Sequence, residues 1–245
     1  MKFAIIITTI MLFIGTFFYF RYSPVMIDEN FFKNLKMKVD FSEKNEMKVF
    51  SYVNEQELKK LKLNDGKISI ENNKIVLGFN EAEMMKNEKL FSKIDDNINN
   101  FFGINVQIGG VLKKTNTMID DMHFLSEENF YKINGIENKL FIKFTNKGMP
   151  KLFYSYSLGD KPNLELMEGN IKDYNVKIIN GKTYYPVVIG FDEASMMISE
   201  KLFQKSGDKI DDFFGINVHV VGIINKTNSI IDMTHFIPLI ESDLR

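Results

Sequence analysis

The chain has 245 residues, a formal net charge of −1 and no cysteine. The balanced charge excludes the strongly basic surface of a nucleic-acid-binding protein, so no nucleic-acid partner is expected. The absence of cysteine excludes disulfide bonds, thiolate metal sites and cysteine nucleophiles. The apolar content of 44 % is ordinary for a chain that buries a core.

Residues 1–22 are predicted to form a membrane anchor. Phe3–Phe20 carries no charge, and as a helix it would extend about 27 Å, close to the hydrocarbon thickness of a bilayer. The alternatives are a cleaved signal peptide and a buried helix. The aromatic stretch Phe17–Tyr22 lacks the small residues of a cleavage site, which favours an uncleaved single-pass anchor. A short basic start before a long domain places the main domain outside the cytoplasm.

A linker at residues 23–36 leads into a region of alternating apolar and polar residues. This alternation predicts two strands, Lys36–Phe41 and Met47–Val53, joined by a polar turn. A similar pair of strands is predicted at Phe141–Phe144 and Lys151–Tyr156. Between the first pair and the next predicted strand, the residues Asn64-Asp65-Gly66 predict a turn.

The chain contains an internal duplication. Val76–Leu125 and Val188–Ile237 align without a gap at an offset of 112, and 28 of the 50 positions are identical. The preceding hairpins recur at an offset of only 103 (Lys151 minus Lys48), so nine further residues are expected in a loop around 158–170 of the second copy. The duplication predicts two homologous modules, residues 37–130 and residues 131–245.

Each copy predicts the same order of elements. A strand (Lys74–Phe79 or Tyr185–Phe191) leads to a helix with Asn80 or Asp192 as its N-cap and an acidic residue in its first turn. The helix of the second copy is predicted to end near Gly207-Asp208. Long strands follow at Phe102–Leu112 and Phe214–Ile224. The apolar stripe of the two helices is predicted to comprise Ala82, Met85, Leu90, Phe91, Ala194, Met197, Leu202 and Phe203.

This order of elements predicts an α+β fold. Two β-rich modules, each with one main helix, are expected to pack about a pseudo-twofold axis behind a single N-terminal transmembrane helix.

A set of structural residues recurs within the two copies. In the second copy they are Val188-Ile189-Gly190, Ala194, Leu202-Phe203, Gly207-Asp208, Val220–Ile224, Asp232 and Pro238-Leu239; in the first they are Gly78, Ala82, Leu90-Phe91, Gly110–Leu112 and Asp120. This pattern resembles the extracytoplasmic core domain of MacB/FtsX-type ABC transporter permeases. That family has several membrane helices and works with an ATPase, whereas this chain has one apolar segment and no Walker A loop. The resemblance therefore implies an extracytoplasmic fold and a role as an accessory or binding subunit.

Both copies also keep an aspartate three residues before a histidine: Asp120 with His123, and Asp232 with His235. A carboxylate and an imidazole at this spacing could share a metal ion such as copper or zinc, or act as an acid–base pair. Methionine thioethers from Met84 or Met196 would suit copper. The simpler interpretation is structural: the aspartate occupies a turn, and the histidine starts a strand with its ring hydrogen-bonded to the backbone.

The sequence carries no serine-hydrolase, zincin or dinucleotide-binding motif. The leading hypothesis is therefore a non-enzymatic binding or assembly subunit at the membrane, with a protein partner in a transporter or envelope complex and no required cofactor. The alternative is an extracytoplasmic metal-binding protein that uses the repeated Asp-x-x-His pairs.

Overall fold

The computed structural model describes residues 27–41, 46–71, 73–137, 139–156, 163–170 and 174–238. The predicted anchor at Phe3–Phe20 and the first part of the predicted extra loop, residues 158–162, lie outside these ranges. None of the helices inside them has the length and apolarity needed to span a bilayer.

The first sheet and its helices, here called unit 1, form from the amino-terminal half of the described chain. The sheet has the order β3-β6-β4-β7-β2-β1-β8, with β5 paired to β6. A short 3-10 turn, Met118–Asp121, precedes β7. The elements are α1 (Glu29–Lys33), β1 (Lys36–Phe41), β2 (Met47–Tyr52), α2 (Glu55–Leu58), β3 (Leu63–Gly66), β4 (Lys74–Leu77), α3 (Phe79–Asn87), β5 (Asn97–Phe101), β6 (Ile104–Leu112), β7 (Met122–Phe124), α4 (Glu127–Lys132) and β8 (Ile136–Glu137).

The second sheet and its helix, here called unit 2, repeat this topology. Its order is β11-β15-β13-β16-β10-β9, with β14 paired to β15 and β12 paired to β13. The 3-10 turn Ile230–Met233 again precedes the closing strand. The elements are β9 (Leu140–Phe144), β10 (Pro150–Tyr156), β11 (Leu166–Gly169), β12 (Lys177–Ile179), β13 (Lys182–Ile189), α5 (Phe191–Ser199), β14 (Lys209–Phe213), β15 (Ile216–Ile224) and β16 (Thr234–Pro238). The mixed α+β class and the two β-rich units are therefore as predicted.

The two sheets pack face to face, and the main helices cover their outer faces. Met47 and Val49 of β2 join a core that also contains Leu152 of β10, whereas Phe50, the residue after Val49, belongs to the core under α3. Phe153, the neighbour of Leu152, likewise belongs to the core under α5. Successive residues of a strand point to opposite faces, so each strand here is buried on both sides. This explains why the strands read as nearly continuous apolar runs.

Two segments of unit 1, α1 and β8, lie outside the repeated elements. Phe31 and Phe32 of α1, within the predicted linker, are buried in the core between the sheets. The ring of Phe32 lies 6.1 Å from that of Phe144 in unit 2. Strand β8 pairs with β1, so the first sheet extends as far as Glu137, beyond residue 130.

The helices α3 and α5 begin at equivalent glycines with equivalent surroundings. The amide of Gly78 donates to Met122 O at 2.8 Å, and that of Gly190 donates to Thr234 O at 2.9 Å. A Cβ at Gly78 would lie 2.2 Å from the carbonyl oxygen of Ile119, so the close approach of the 3-10 turn requires glycine. These glycines are the N-caps, and the prediction that Asn80 and Asp192 cap the helices is wrong.

Three further predictions about local structure are wrong for identifiable reasons. Both helices end well before Gly207 and the equivalent Asp95, because Lys89 and Lys201 adopt left-handed φ values of 61° after the last turn. The chain reversal at these lysines turns Leu90 and Leu202 outward, to 44 % and 45 % exposure. Residues 64–66, predicted as a turn, instead belong to the edge strand β3, which pairs with β6 through a bulge.

Candidate functional site

Each unit places a buried glutamate, a buried histidine and a lysine between its helix and the outer face of its sheet. In unit 1 the alternation of β7 directs His123 away from the shared core, because Met122 and Phe124 face that core. Glu81 reaches the same place from the first turn of α3, and Lys48 reaches it from β2. The sheet and the helix thus bring these groups together.

The geometry of the first network is compact. The Nζ atom of Lys48 donates to Glu81 Oε1 at 3.1 Å and to the Met84 sulfur at 3.4 Å. His123 Nε2 lies 3.0 Å from the same Glu81 oxygen, without the alignment of a hydrogen bond. His123 Nδ1 lies 3.2 Å from the carbonyl oxygen of Val49, and because a carbonyl can only accept, this nitrogen carries a proton. Both ring nitrogens therefore face oxygen atoms, one of a carboxylate and one of the backbone.

Unit 2 repeats the network. Lys151 Nζ lies 2.8 Å from Glu193 Oε1 and donates to Oε2 at 2.9 Å, and it also reaches the Met196 sulfur at 3.5 Å. His235 Nε2 lies 3.3 Å from Glu193 Oε1, and its Nδ1 donates to Leu152 O at 3.1 Å. The same arrangement has been built twice from residues that share their position in the fold.

The electrostatics of the two networks explain how a buried carboxylate is tolerated. Burial works against ionisation of Glu81, but the charges of His123 and Lys48 and the hydrogen bond from Lys48 outweigh it, so the pKa of Glu81 lies below its usual value. The pKa of Glu193 is lowered in the same way by His235 and Lys151, again against the effect of burial. Each carboxylate is ionised, and the neighbouring lysine and histidine compensate its charge. The network can therefore stabilise the packing of the helix on the sheet.

The structure places the aspartate and histidine of each predicted pair in separate contacts. The Asp120 carboxylate accepts from the amides of Thr115 and Asn116 at 2.8 Å and 2.7 Å and from the Thr115 hydroxyl at 2.9 Å. Asp232 binds Thr227 and Asn228 in the same manner. Each aspartate therefore shapes the Lys-Thr-Asn loop before it, while the histidine faces a glutamate and a backbone carbonyl, as the structural interpretation expected.

These contacts bear on the metal hypothesis for Asp120, His123, Asp232 and His235. Over the ranges that the structure describes, no three His, Cys, Asp or Glu side chains form a group that could hold a metal ion. The methionines of the hypothesis, Met84 among them, lie against lysine ammonium groups. Metal binding through the repeated pairs stays a prediction.

A cavity of about 390 Å³ opens where the two units meet. Unit 1 lines it with Lys48, Glu81 and Asp121, and unit 2 lines it with Glu165 and residues 224–231. We call it the junction cavity. An open groove beside it, lined by residues that include Glu83 and Asp192, shares several of its wall residues and is here called the junction groove.

Asp121 is the unusual group of the junction cavity. Its side chain is buried, and its Oδ1 accepts from Asn80 Nδ2 at 3.3 Å. The pKa of Asp121 is raised to about 7: burial raises it most, the Asn80 hydrogen bond lowers it, and the charges of Asp120, Glu81 and Asp232 also raise it. Asp121 is thus a partly neutral carboxyl group at neutral pH, set in a cleft between two homologous units.

Sequence reasoning missed the lysines and glutamates of the two networks, and it missed the burial of His219. Glu81 and Glu193 were visible only as acidic residues in a first helical turn, a position that dipole interactions explain without burial. The available signal was that a charged residue recurs beside the apolar stripe in both copies. His219 is in fact buried, with Nε2 2.9 Å from Asn175 O, because the segment before β12 covers it.

Comparison of the chain with protein-family models, with curated proteins and with solved structures gave no match. The resemblance to the extracytoplasmic core domain of MacB/FtsX-type permeases accordingly stays a prediction.

Proposed function

We propose that this chain is a non-enzymatic binding or assembly subunit, tethered to a membrane by Phe3–Phe20, with its folded part outside the cytoplasm. In this role it is accessory to a transporter or envelope complex and contacts a protein partner. The apolar amino-terminal segment and the permease resemblance support the location.

The observation that carries the proposal is the pair of dissimilar walls at the junction of the two units. Two copies of one fold are expected to present similar surfaces, but equivalent positions at this junction carry different residues. Asn80 of unit 1 corresponds to Asp192 of unit 2, and Asp121 corresponds to Met233. The junction groove between these walls is open to solvent and carries charged and amide side chains. Such a concave polar surface between rigid elements is a typical place for recognition.

The buried ionic networks support a role without turnover. A general base must be able to take a proton from a substrate, and a nucleophile must be free to reach the substrate. Glu81 is held between Lys48 and His123, and the corresponding side chains of unit 2 are held in the same way. Groups matched to each other in this manner stabilise the contact between helix and sheet.

The proposal is tested by capturing partners with the tagged full-length chain from detergent-solubilised membranes. Glu83→Arg reverses a charge on the junction groove. Ser195→Arg is the matched control, because Ser195 occupies the equivalent position of α5 but does not line the groove. We expect a specific partner to bind the wild-type chain and the Ser195→Arg variant and to be lost with Glu83→Arg. Equal capture by all three chains, or robust substrate turnover by the purified protein, would contradict the proposal.

A further inference from the structure

The positive charges in the wall of the junction cavity are already matched. The ammonium of Lys48 lies 3.1 Å from Glu81 Oε1. The ammonium of Lys226 lies 2.9 Å from Asp192 Oδ1 and 5.2 Å from the centre of the Phe191 ring. Neither lysine is therefore available to neutralise another carboxylate of the cavity.

Three carboxylates of the cavity remain without a cation among the residues that the structure describes. Two of them, Glu46 and Glu165, are exposed, so water solvates them. The third, Asp121, is buried, with only 9 % of its surface exposed, and its one described partner is the Asn80 amide. A buried carboxylate that lacks a counter-charge is costly, and the cavity beside it leaves room for one.

The fold itself does not require a carboxylate at this position. Unit 2 builds the same 3-10 turn, with the equivalent aspartate bound to the loop before it, but carries Met233 where unit 1 carries Asp121. The amide that holds the Asp121 carboxylate is also specific to unit 1, since the mate of Asn80 is Asp192. The pair of Asn80 and Asp121 therefore serves something other than the shared architecture.

The remaining walls suit a short alkyl chain. Met47, Met84 and Ile230 line the cavity and present thioether and branched aliphatic surface. The volume of about 390 Å³ lies in the range of small-molecule sites. A ligand with a cationic head and an aliphatic body would match the carboxylate with the head and the apolar wall with the body.

We propose that the junction cavity binds a primary alkylammonium group, with Asp121 as its counter-charge, Asn80 as the residue that orients the carboxylate, and the apolar wall around the alkyl chain. Such a group is carried by a small free amine or by a lysine side chain of a partner. The inference rests on the proposed binding function and names the chemistry that its junction would recognise.

The test uses the full-length chain with carbon-13 in its methionine methyl groups and follows their NMR signals during titration. The probe is n-butylammonium chloride, and n-butanol at matched ionic strength is the uncharged control of the same length. We expect saturable shifts of the Met47 and Met84 signals with butylammonium and none with butanol. The Met197 signal, from the core under α5, should not move.

Variants assign the effect to Asp121. Asp121→Asn keeps the shape of the side chain, and Asp121→Met introduces the residue that unit 2 carries at the equivalent position. The test can be completed if either variant folds. We expect at least a tenfold weaker affinity for butylammonium in both. Glu128→Gln, which removes an exposed carboxylate from α4, should bind as the wild type does. Equal affinity for butanol, undiminished binding by the Asp121 variants, or no shift at any soluble concentration of the amine would overturn the proposal.

The peptide acetyl-Gly-Lys-Gly-amide separates the two sources of the ammonium group. Tighter binding of the peptide than of butylammonium indicates a partner's lysine, and weaker binding indicates a free amine; either order supports the site. The outcomes also separate this inference from the proposed function. Partner capture without amine binding would overturn only the amine site, whereas amine binding with equal capture by the groove variants would overturn the proposed partner surface.

Discussion

The carboxylate of Glu81 lies 3.0 Å from the imidazole of His123, and this contact fastens the first turn of helix α3 to the outer face of the first sheet. In unit 2 the distance from Glu193 to His235 is 3.3 Å. All four side chains are at least nine-tenths buried, so neither contact is a surface ion pair. Removing one member leaves the others charged and unmatched in a region from which water is excluded.

The first prediction concerns this buried charge. We expect Glu193→Gln to lower the free energy of unfolding by about 3–5 kcal/mol, because Lys151 and His235 would lose the carboxylate that neutralises them. Chemical denaturation of the full-length chain measures this change. The matched control is Glu128→Gln, which breaks an exposed i,i+4 pair with Lys132 and should cost less than about 0.5 kcal/mol. Equal losses in the two variants would contradict the fastening role.

The second prediction concerns acid. The pKa of Glu193 lies below its ordinary value of 4.5, so the folded state binds the proton more weakly than the unfolded state does. The stability that the glutamate contributes is thus present above about pH 4.5 and is lost as the pH falls through the folded-state pKa. We expect the stability difference between the wild type and Glu193→Gln to shrink steadily below pH 4.5. Denaturation curves at a series of pH values check this; a difference that grows in acid would show that the sign is wrong.

The strands could be predicted from the sequence because the residues of the first hairpin alternate between apolar and polar and the long strands are rich in β-branched residues. Lys36–Phe41 was predicted with the observed bounds, and the long strands β6 and β15 begin two residues inside the predicted ones. The duplication added a second, independent signal, since a core pattern that recurs at a fixed offset implies two copies of one topology. These features depend on residues close in the chain, which is why sequence patterns capture them.

The candidate site could not be predicted because its members are distant in the chain. Nothing local relates Lys48 to Glu81 or His123; their contact depends on the parallel pairing of β2 with β7 and on the packing of α3 over both. The Asp-x-x-His spacing was visible, but the 3-10 turn directs Asp120 back toward its own loop. Spacing indicated proximity along the chain, whereas the backbone conformation decided which groups meet.

The third prediction concerns the close approach at the helix starts. A Cβ on Gly190 would lie 2.1 Å from the carbonyl oxygen of Ile231, a backbone atom that cannot rotate away. We expect Gly190→Ala to lower the free energy of unfolding by about 3 kcal/mol or more. Gly148→Ala is the comparison, because Gly148 has open space and only its left-handed φ of +74° disfavours alanine, at about 1–2 kcal/mol. If thermal denaturation shows the smaller loss for Gly190→Ala, the helix start does not require glycine for close packing.

The fourth prediction concerns the metal hypothesis. Because Asp120 is engaged by Thr115 and Asn116, and His123 by Glu81 and Val49, a metal ion would have to displace several hydrogen bonds and an ion pair to bind both residues. We expect copper or zinc added to the chelator-treated protein to leave its melting temperature unchanged. A rise in melting temperature that disappears in the His123→Ala/His235→Ala double variant would instead establish the repeated pairs as a metal site.

The fifth prediction uses the raised pKa of Asp121. In the folded protein this pKa is about 7, against an ordinary value of 3.8, so ionisation disfavours the folded state as the pH rises between these values. The stability that the protonated group contributes is complete below about pH 3.8 and is lost by the time the pH has passed 7. Asp121→Asn removes the carboxylate whose ionisation disfavours the folded state. Each unit of pKa difference corresponds to about 1.4 kcal/mol, so we expect the variant's gain in the free energy of unfolding to be about 2–3 kcal/mol larger at pH 8 than at pH 5. Denaturation of both proteins at the two pH values measures this difference. A gain that does not depend on pH would mean that burial does not hold Asp121 in its neutral form. The case for Asp121 as the counter-charge of a bound cation would then be weakened.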